Sequence, residues 1–164
     1  DAVAPFFSPD GGSVGFITGS ANSLAIVSLS GGLPRLVVVD SVLPWGADWG
    51  DDGYLYVVHR GGYAARVRVA GGPLERLTQL DTSVAEFEHD WPQMLPGGRK
   101  LLVQSWRSSV AMSEALVVDL ESGERTTIAK AAYARYLRSG HVIVGTLDGN
   151  LSVMPFDPRR GLVT

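Results

Sequence analysis

The chain of 164 residues is 45% apolar and 19% charged, carries 20 Gly and 9 Pro, and has a formal net charge of −3. That balance fits a turn-rich globular domain with its own core rather than a disordered chain, and the sparse Lys and Arg argue against a nucleic-acid surface. Cysteine is absent, which excludes a disulfide framework and thiolate metal ligands, and no apolar run approaches the roughly 20 residues of a membrane-spanning helix.

A short cassette recurs four times, each copy marked by a glycine in its first turn: Gly11, Gly53, Gly98 and Gly140, which lie 42, 45 and 42 residues apart. A period in the forties with several short strands per unit is the signature of a β-propeller blade. In the first unit residues 4–7 read as an inner strand and Pro9-Asp10-Gly11 as a hairpin turn, because Gly supplies the positive φ such a turn needs. Residues 14–18 and 24–29 follow as two further strands, and 35–39 as an outer one after Gly31-Gly32. The second unit fills the same slots with 45–49, 54–59, 64–69 and 74–77.

The third unit places strands at 91–94, 101–106, 115–120 and 125–128, with a longer break at 107–114. The fourth runs through 134–137, 142–147, 151–156 and 162–164. Only 83–88 and 128–134 resemble helix, and both fall where one blade links to the next. The expectation is an all-β chain of four propeller blades with four antiparallel strands each. It forms a single partial propeller domain with blades at about 1–41, 42–82, 83–130 and 131–164. Each sheet must bury two faces and depends on its neighbours to do so, so four blades read as an open arc or fragment of a ring of six or more. Asp1 in place of an initiating Met reads as an excised or processed piece.

The segments Pro5-Phe6-Phe7-Ser8-Pro9-Asp10-Gly11, the Gly-Gly outer turns and Arg76-Leu77-Thr78 resemble the TolB-like, WD40-like β-propeller repeat. The stretch from His89 through Asp90-Trp91-Pro92 to Arg99 is most similar to propeller segments appended to bacterial serine/threonine protein kinases, and more distantly to dipeptidyl-peptidase-like propellers. The resemblance covers the whole chain and implies a six-bladed or larger ring in the intact protein, with an extracytoplasmic or periplasmic location. Gly97 stands where the repeat has Asp, and Arg138-Ser139-Gly140 replaces Pro-Asp-Gly. No kinase glycine loop or His-Arg-Asp motif is present, so no kinase chemistry carries over.

A Gly-x-Ser-x-Gly elbow is likewise missing, which argues against a serine hydrolase. The densest polar cluster is Glu86-Phe87-Glu88-His89-Asp90-Trp91. In a regular strand its carboxylates share one face and Phe87, His89 and Trp91 the other, a separation that spoils a joint metal site. Neither a metal nor a cofactor is expected, and no catalytic residue is assigned. His59 and His141 read as packed or surface histidines, and the tryptophans as packing between blades. Tyr63 and Arg107, in breaks between second and third strands, read as exposed.

In a propeller, the links into inner strands and the breaks between second and third strands emerge on one rim. Loops carry function more often than the scaffold does, so that rim is the candidate binding face: Trp45, Arg60, Tyr63, Glu86, Glu88, His89, Asp90 and Arg107. The expected function is a non-enzymatic ligand-binding, protein-binding or sensor module of a larger bacterial protein, with a protein or peptide partner. Nucleic acid and membrane insertion are not expected. One alternative is a glycan-active enzyme using Glu86, Glu88 and Asp90 with His89 as acid and base. Another is an assembly unit that forms homo-oligomers through its exposed terminal blades.

Overall fold

The computed structural model describes residues 1–20 and 22–164. Their strands form four antiparallel sheets, each an up-and-down meander of four strands in sequence order. The first holds β1 (Ala2–Phe7), β2 (Ser13–Thr18), β3 (Ser23–Ser28) and β4 (Arg35–Val38). The second holds β5 (Val42–Trp49), β6 (Tyr54–His59), β7 (Ala64–Arg68) and β8 (Glu75–Arg76). The third holds β9 (Glu86–Met94), β10 (Lys100–Arg107), β11 (Glu114–Asp119) and β12 (Arg125–Lys130), and the fourth β13 (Tyr133–Leu137), β14 (His141–Gly145), β15 (Leu151–Asp157) and β16 (Leu162–Val163). The architecture is thus the four four-stranded blades read from the sequence. The two segments that resembled helix contain strand and, at Thr82–Val84, a single 3₁₀ turn.

One turn closes the first hairpin of every blade. Its glycine has φ of 70°, 80°, 69° and 80° at Gly11, Gly53, Gly98 and Gly140. Each of these glycines donates its N–H to the carbonyl three residues earlier, on Ser8, Gly50, Leu95 and Leu137 respectively. The third and fourth turns form without the Pro-Asp-Gly sequence, because the backbone requirement rests on the final glycine.

The central strands are apolar on both faces since both are covered. Tyr56 packs toward the third sheet while Leu55 and Val57 pack toward the first, and all three are fully buried, as is Val58. Three apolar clusters result among the described residues: one between the first and second sheets around Ile17, Leu24 and Leu55, one between the second and third around Leu101 and Val103, and one between the third and fourth around Leu102, Val117 and Val142. Among the described residues no such cluster joins the fourth sheet to the first. Their outward faces keep apolar side chains in solvent, with Phe7 67% and Leu36 55% exposed on one and Leu151 75% and Val153 60% on the other.

Three of the four inner strands break their ladders. The registers of β1, β5 and β9 shift between Val3 and Phe6, between Leu43 and Ala47, and opposite Leu102 and Gln104. At each interruption one residue takes positive φ: Ala4 (48°), Gly46 (98°) and Trp91 (50°). Such bulges bend a strand and re-aim its side chains. A Cβ placed on Gly46 would lie 2.4 Å from the Trp91 ring and 3.0 Å from its Cα, so the second and third inner strands approach through that glycine.

Gly46→Ala combines backbone strain with overpacking and is expected to destabilise the chain by roughly 2–4 kcal/mol. Gly53→Ala, with φ of 80° and nothing within 4 Å of the added carbon, should lose only about 1–2 kcal/mol from strain. Urea unfolding of the two variants side by side measures the difference.

Candidate functional site

The bulges decide where the chemistry of β9 points. Opposite β10, Glu86 pairs with Arg107 and Glu88 with Trp106, so Phe87 is an extra residue. Past it the alternation is reset, and Glu86 shares a face with His89 while Glu88 and Asp90 share the other. The three carboxylates of the cluster are therefore divided between two blade interfaces. Among the described residues no group of three or more His, Asp or Glu comes together as a metal site.

Glu86 and His89 form a buried polar knot between the second and third sheets. Glu86 accepts hydrogen bonds from Ser105 Oγ and the Arg125 guanidinium, and from the Asp81 N–H at 2.6 Å. His89 Nε2 lies 3.0 Å from Glu86 Oε1, aligned too poorly for a hydrogen bond, and its Nδ1 meets Thr78 Oγ1 at 2.8 Å. Thr78 Oγ1 accepts the Ala64 N–H at 3.0 Å, and the His89 N–H donates to Gly62 at 2.7 Å. Burial pushes the Glu86 carboxyl upward, but His89, Arg125 and Ser105 outweigh it and hold the group well below the usual carboxylate range. With both Glu86 and His89 side chains fully enclosed, the knot ties two blades together.

Asp90 has the opposite environment. It is 6% exposed, its Oδ1 has no hydrogen-bond partner, and its carboxyl is pushed up to about 8 by burial and by the neighbouring Glu88 charge. The Trp106 indole N–H is near enough to favour the ionised form yet makes no hydrogen bond to it.

The other residues of the rim are spread around it. Trp45 is 48% exposed. Arg60 is exposed and pairs with Asp40 at 2.8 Å. Tyr63 and Arg107 are half-buried rather than exposed: Tyr63 stacks on His59 at 4.4 Å beneath the Arg76 guanidinium, and Arg107 is held by Glu114 at 2.7 Å.

A cavity of about 730 Å³ opens at the opposite end of the axis, where the first hairpin turns of all four blades converge. Its walls include Phe7, Trp49, Pro96 and Tyr136. Two ion pairs span it from the second blade to the fourth, Asp48 with Arg135 at 2.6 Å and Asp51 with Arg138 at 3.0 Å. Gln93 adds two bonds to the Tyr136 backbone, accepting its N–H at 2.8 Å and donating to its carbonyl at 3.2 Å. Burial raises the Asp48 carboxyl against the opposing effect of Arg135. The cavity thus offers both signs of charge and aromatic surface in one concave site, a combination suited to ligand binding.

The sequence reading passed over these residues, although a signal exists. Each pair is separated by 87 residues, which equals two repeats, the distance from Gly53 to Gly140. Asp48 and Arg135 therefore occupy one slot of the repeat, and Asp51 and Arg138 another. Opposite charges at equivalent positions two blades apart face one another across the axis.

No protein-family model matches the chain, and no curated protein matches it in sequence. Solved structures do. TolB from Acinetobacter baumannii aligns with a TM-score of 0.75 at 22% identity, over 96% of this chain and 41% of that one. A putative TolB from Agrobacterium tumefaciens aligns at 0.64 and 22%, over 77% of this chain and 48% of that one. The fold is therefore that of a TolB-like β-propeller, and the chain spans less than half the length of either protein. Puromycin hydrolase also aligns, at 0.68 and 20%, over 100% of this chain and 28% of that one. This corrects the expectation of a non-enzymatic chain. Enzymes share the blade architecture, so the absence of a nucleophile elbow does not place this chain outside catalysis.

Asp90 generates a pH-dependent prediction. Between its ordinary value of 3.8 and about 8, the folded chain keeps a proton that the unfolded chain has released, so stability falls as pH rises through that window. Asp90→Asn removes the penalty. Its melting temperature should match the native chain near pH 4, exceed it increasingly up to about pH 8 and then hold a constant lead, as read by thermal melts across that range.

Proposed function

We propose that the chain is the ligand-binding segment of a larger propeller protein, and that its axial cavity takes a short peptide or a loop of a protein partner. The observation that carries this reading is the pairing of Asp48 with Arg135 and Asp51 with Arg138 across a cavity of about 730 Å³. A peptide brings both charge signs, backbone donors and acceptors, and apolar side chains. The cavity presents the complement of each: carboxylates and guanidiniums, the Gln93 amide, and the Trp49 and Tyr136 rings. Polar groups set orientation in such a site while aromatic walls supply contact area.

The rim at the other end supplies a second contact surface in this reading. Trp45, Phe87 and Met112 are 48%, 54% and 49% exposed there, and Arg60 and Tyr63 adjoin the link and the break that form that rim. An extracytoplasmic setting, and a place beside a kinase in the parent protein, rest on the sequence resemblance from His89 to Arg99. Among the described residues no helix is long and apolar enough to cross a membrane.

Selection of a displayed random-peptide library on the immobilised chain, followed by titration calorimetry of the enriched peptides, tests the assignment. Asp51 and Arg138 are largely exposed, and such pairs contribute little to stability. Asp51→Ala and Arg138→Ala should therefore keep the native melting temperature while weakening binding by about tenfold or more, and Trp45→Ala should leave it unchanged. Enrichment sensitive to Trp45→Ala alone would move the site to the other rim, and a library that yields no binder would sink the reading.

A further inference from the structure

Register and burial bring a second polar group together in the wedge between the third and fourth blades, away from the axial cavity. On β9 and β10, Glu88 lies opposite Trp106 and Asp90 opposite Gln104, all on the face turned to the fourth blade. Gln104 confirms the direction by donating its amide to the Ala131 carbonyl at 2.6 Å, which leaves its Oε1 without a partner.

Three oxygen-bearing side chains from two paired strands are thus neighbours on this face, and two of them, Asp90 and Gln104, are more than nine-tenths buried with an unpartnered oxygen. The charge is equally uncompensated. Neither Glu88 nor Asp90 belongs to any ion pair among the described residues, and Arg107, the nearest cation along β10, is committed to Glu114. Carboxylates withdrawn from water need a counter-charge or a proton. A proton on Asp90 would neutralise one of the two. A hard divalent cation neutralises both, and carboxylate and amide carbonyl oxygens are the ligands it prefers.

We propose that this wedge is a binding site for a hard divalent cation of the Ca²⁺ class, ligated by Asp90 and Glu88 together with Gln104 Oε1. Glu88 is the half-buried member, so the ion enters from the rim past its carboxylate and completes its shell with water there. Bound, the ion would link β9 to β10 at the face turned to the fourth blade. The site uses two carboxylates and one neutral oxygen, which places it in the weaker, submillimolar to millimolar range of calcium affinities.

Trp106 makes the site directly readable, since its indole borders Asp90 and can sensitise the luminescence of Tb³⁺ in the same position. With the intact chain, millimolar Ca²⁺ should raise the melting temperature by several degrees. Tb³⁺ should show tryptophan-excited emission that Ca²⁺ competes away. Asp90→Asn, which keeps the side chain's shape, should abolish both effects. Trp106→Phe should lose most of the emission and keep the Ca²⁺ shift, and Glu121→Gln, at an exposed carboxylate, should change neither. A native chain whose melting temperature does not respond to millimolar Ca²⁺ or Mg²⁺ overturns the proposal, whatever the variants do. So does a shift of the same size in Asp90→Asn.

Discussion

Every sheet in this chain has two apolar faces, and an antiparallel sheet of four short strands cannot bury both by itself. The rest of the architecture follows from that constraint. The blades stack face to face, which sets three apolar clusters in series and brings the inner strands β1, β5, β9 and β13 together around an axis. Strands packed that closely need relief, and the positive-φ residues at Ala4, Gly46 and Trp91 provide it. Where no further sheet follows, the same apolar faces stand in solvent, as Leu151 and Val153 do on β15.

The axis is where apolar stacking gives way to polar chemistry. Inner strands end there in turns whose backbone needs Gly, and the residues just before and within those turns are less bound by the packing demands on the central strands. That freedom is used for charge: Asp48 and Asp51 in one blade, Arg135 and Arg138 in another. Both pairs cross the cavity, but only Asp48 with Arg135, the more enclosed pair, braces the second blade against the fourth; Asp51 with Arg138 is exposed and adds charge to an aromatic-walled floor.

The sequence was most informative where structure is dictated locally. The marker glycines, the apolar strands and the breaks between them each have a short-range physical cause, and they specify four blades without help from distant residues. The Glu86 to Trp91 segment shows where this ends. Strict alternation puts Glu86, Glu88 and Asp90 on one face, but a bulge at Phe87 resets the period and sends Glu86 to a different blade interface. Nothing in the six residues announces the bulge, because it is fixed by how β9 must bend against β10 and the axis. The cavity was legible in principle, through opposite charges two repeats apart, yet only a three-dimensional ring gives that coincidence its meaning.

Glu86 and Asp90 make a controlled comparison, being four residues apart on one strand and both nearly enclosed. Glu86 is surrounded by donors and a cation, and its ionised form is favoured. Such a group locks two blades in place and has no spare valence for anything else. Asp90 meets a second carboxylate, a tryptophan and the unpartnered Gln104 oxygen, and its ionised form is disfavoured. A fold under no other demand would replace Asp90 with an apolar or amide side chain of similar size and gain stability by doing so. An uncompensated buried carboxylate beside a fully compensated one therefore separates two roles on a single strand: the compensated group fastens the scaffold, and the uncompensated one is where the scaffold has capacity left to bind.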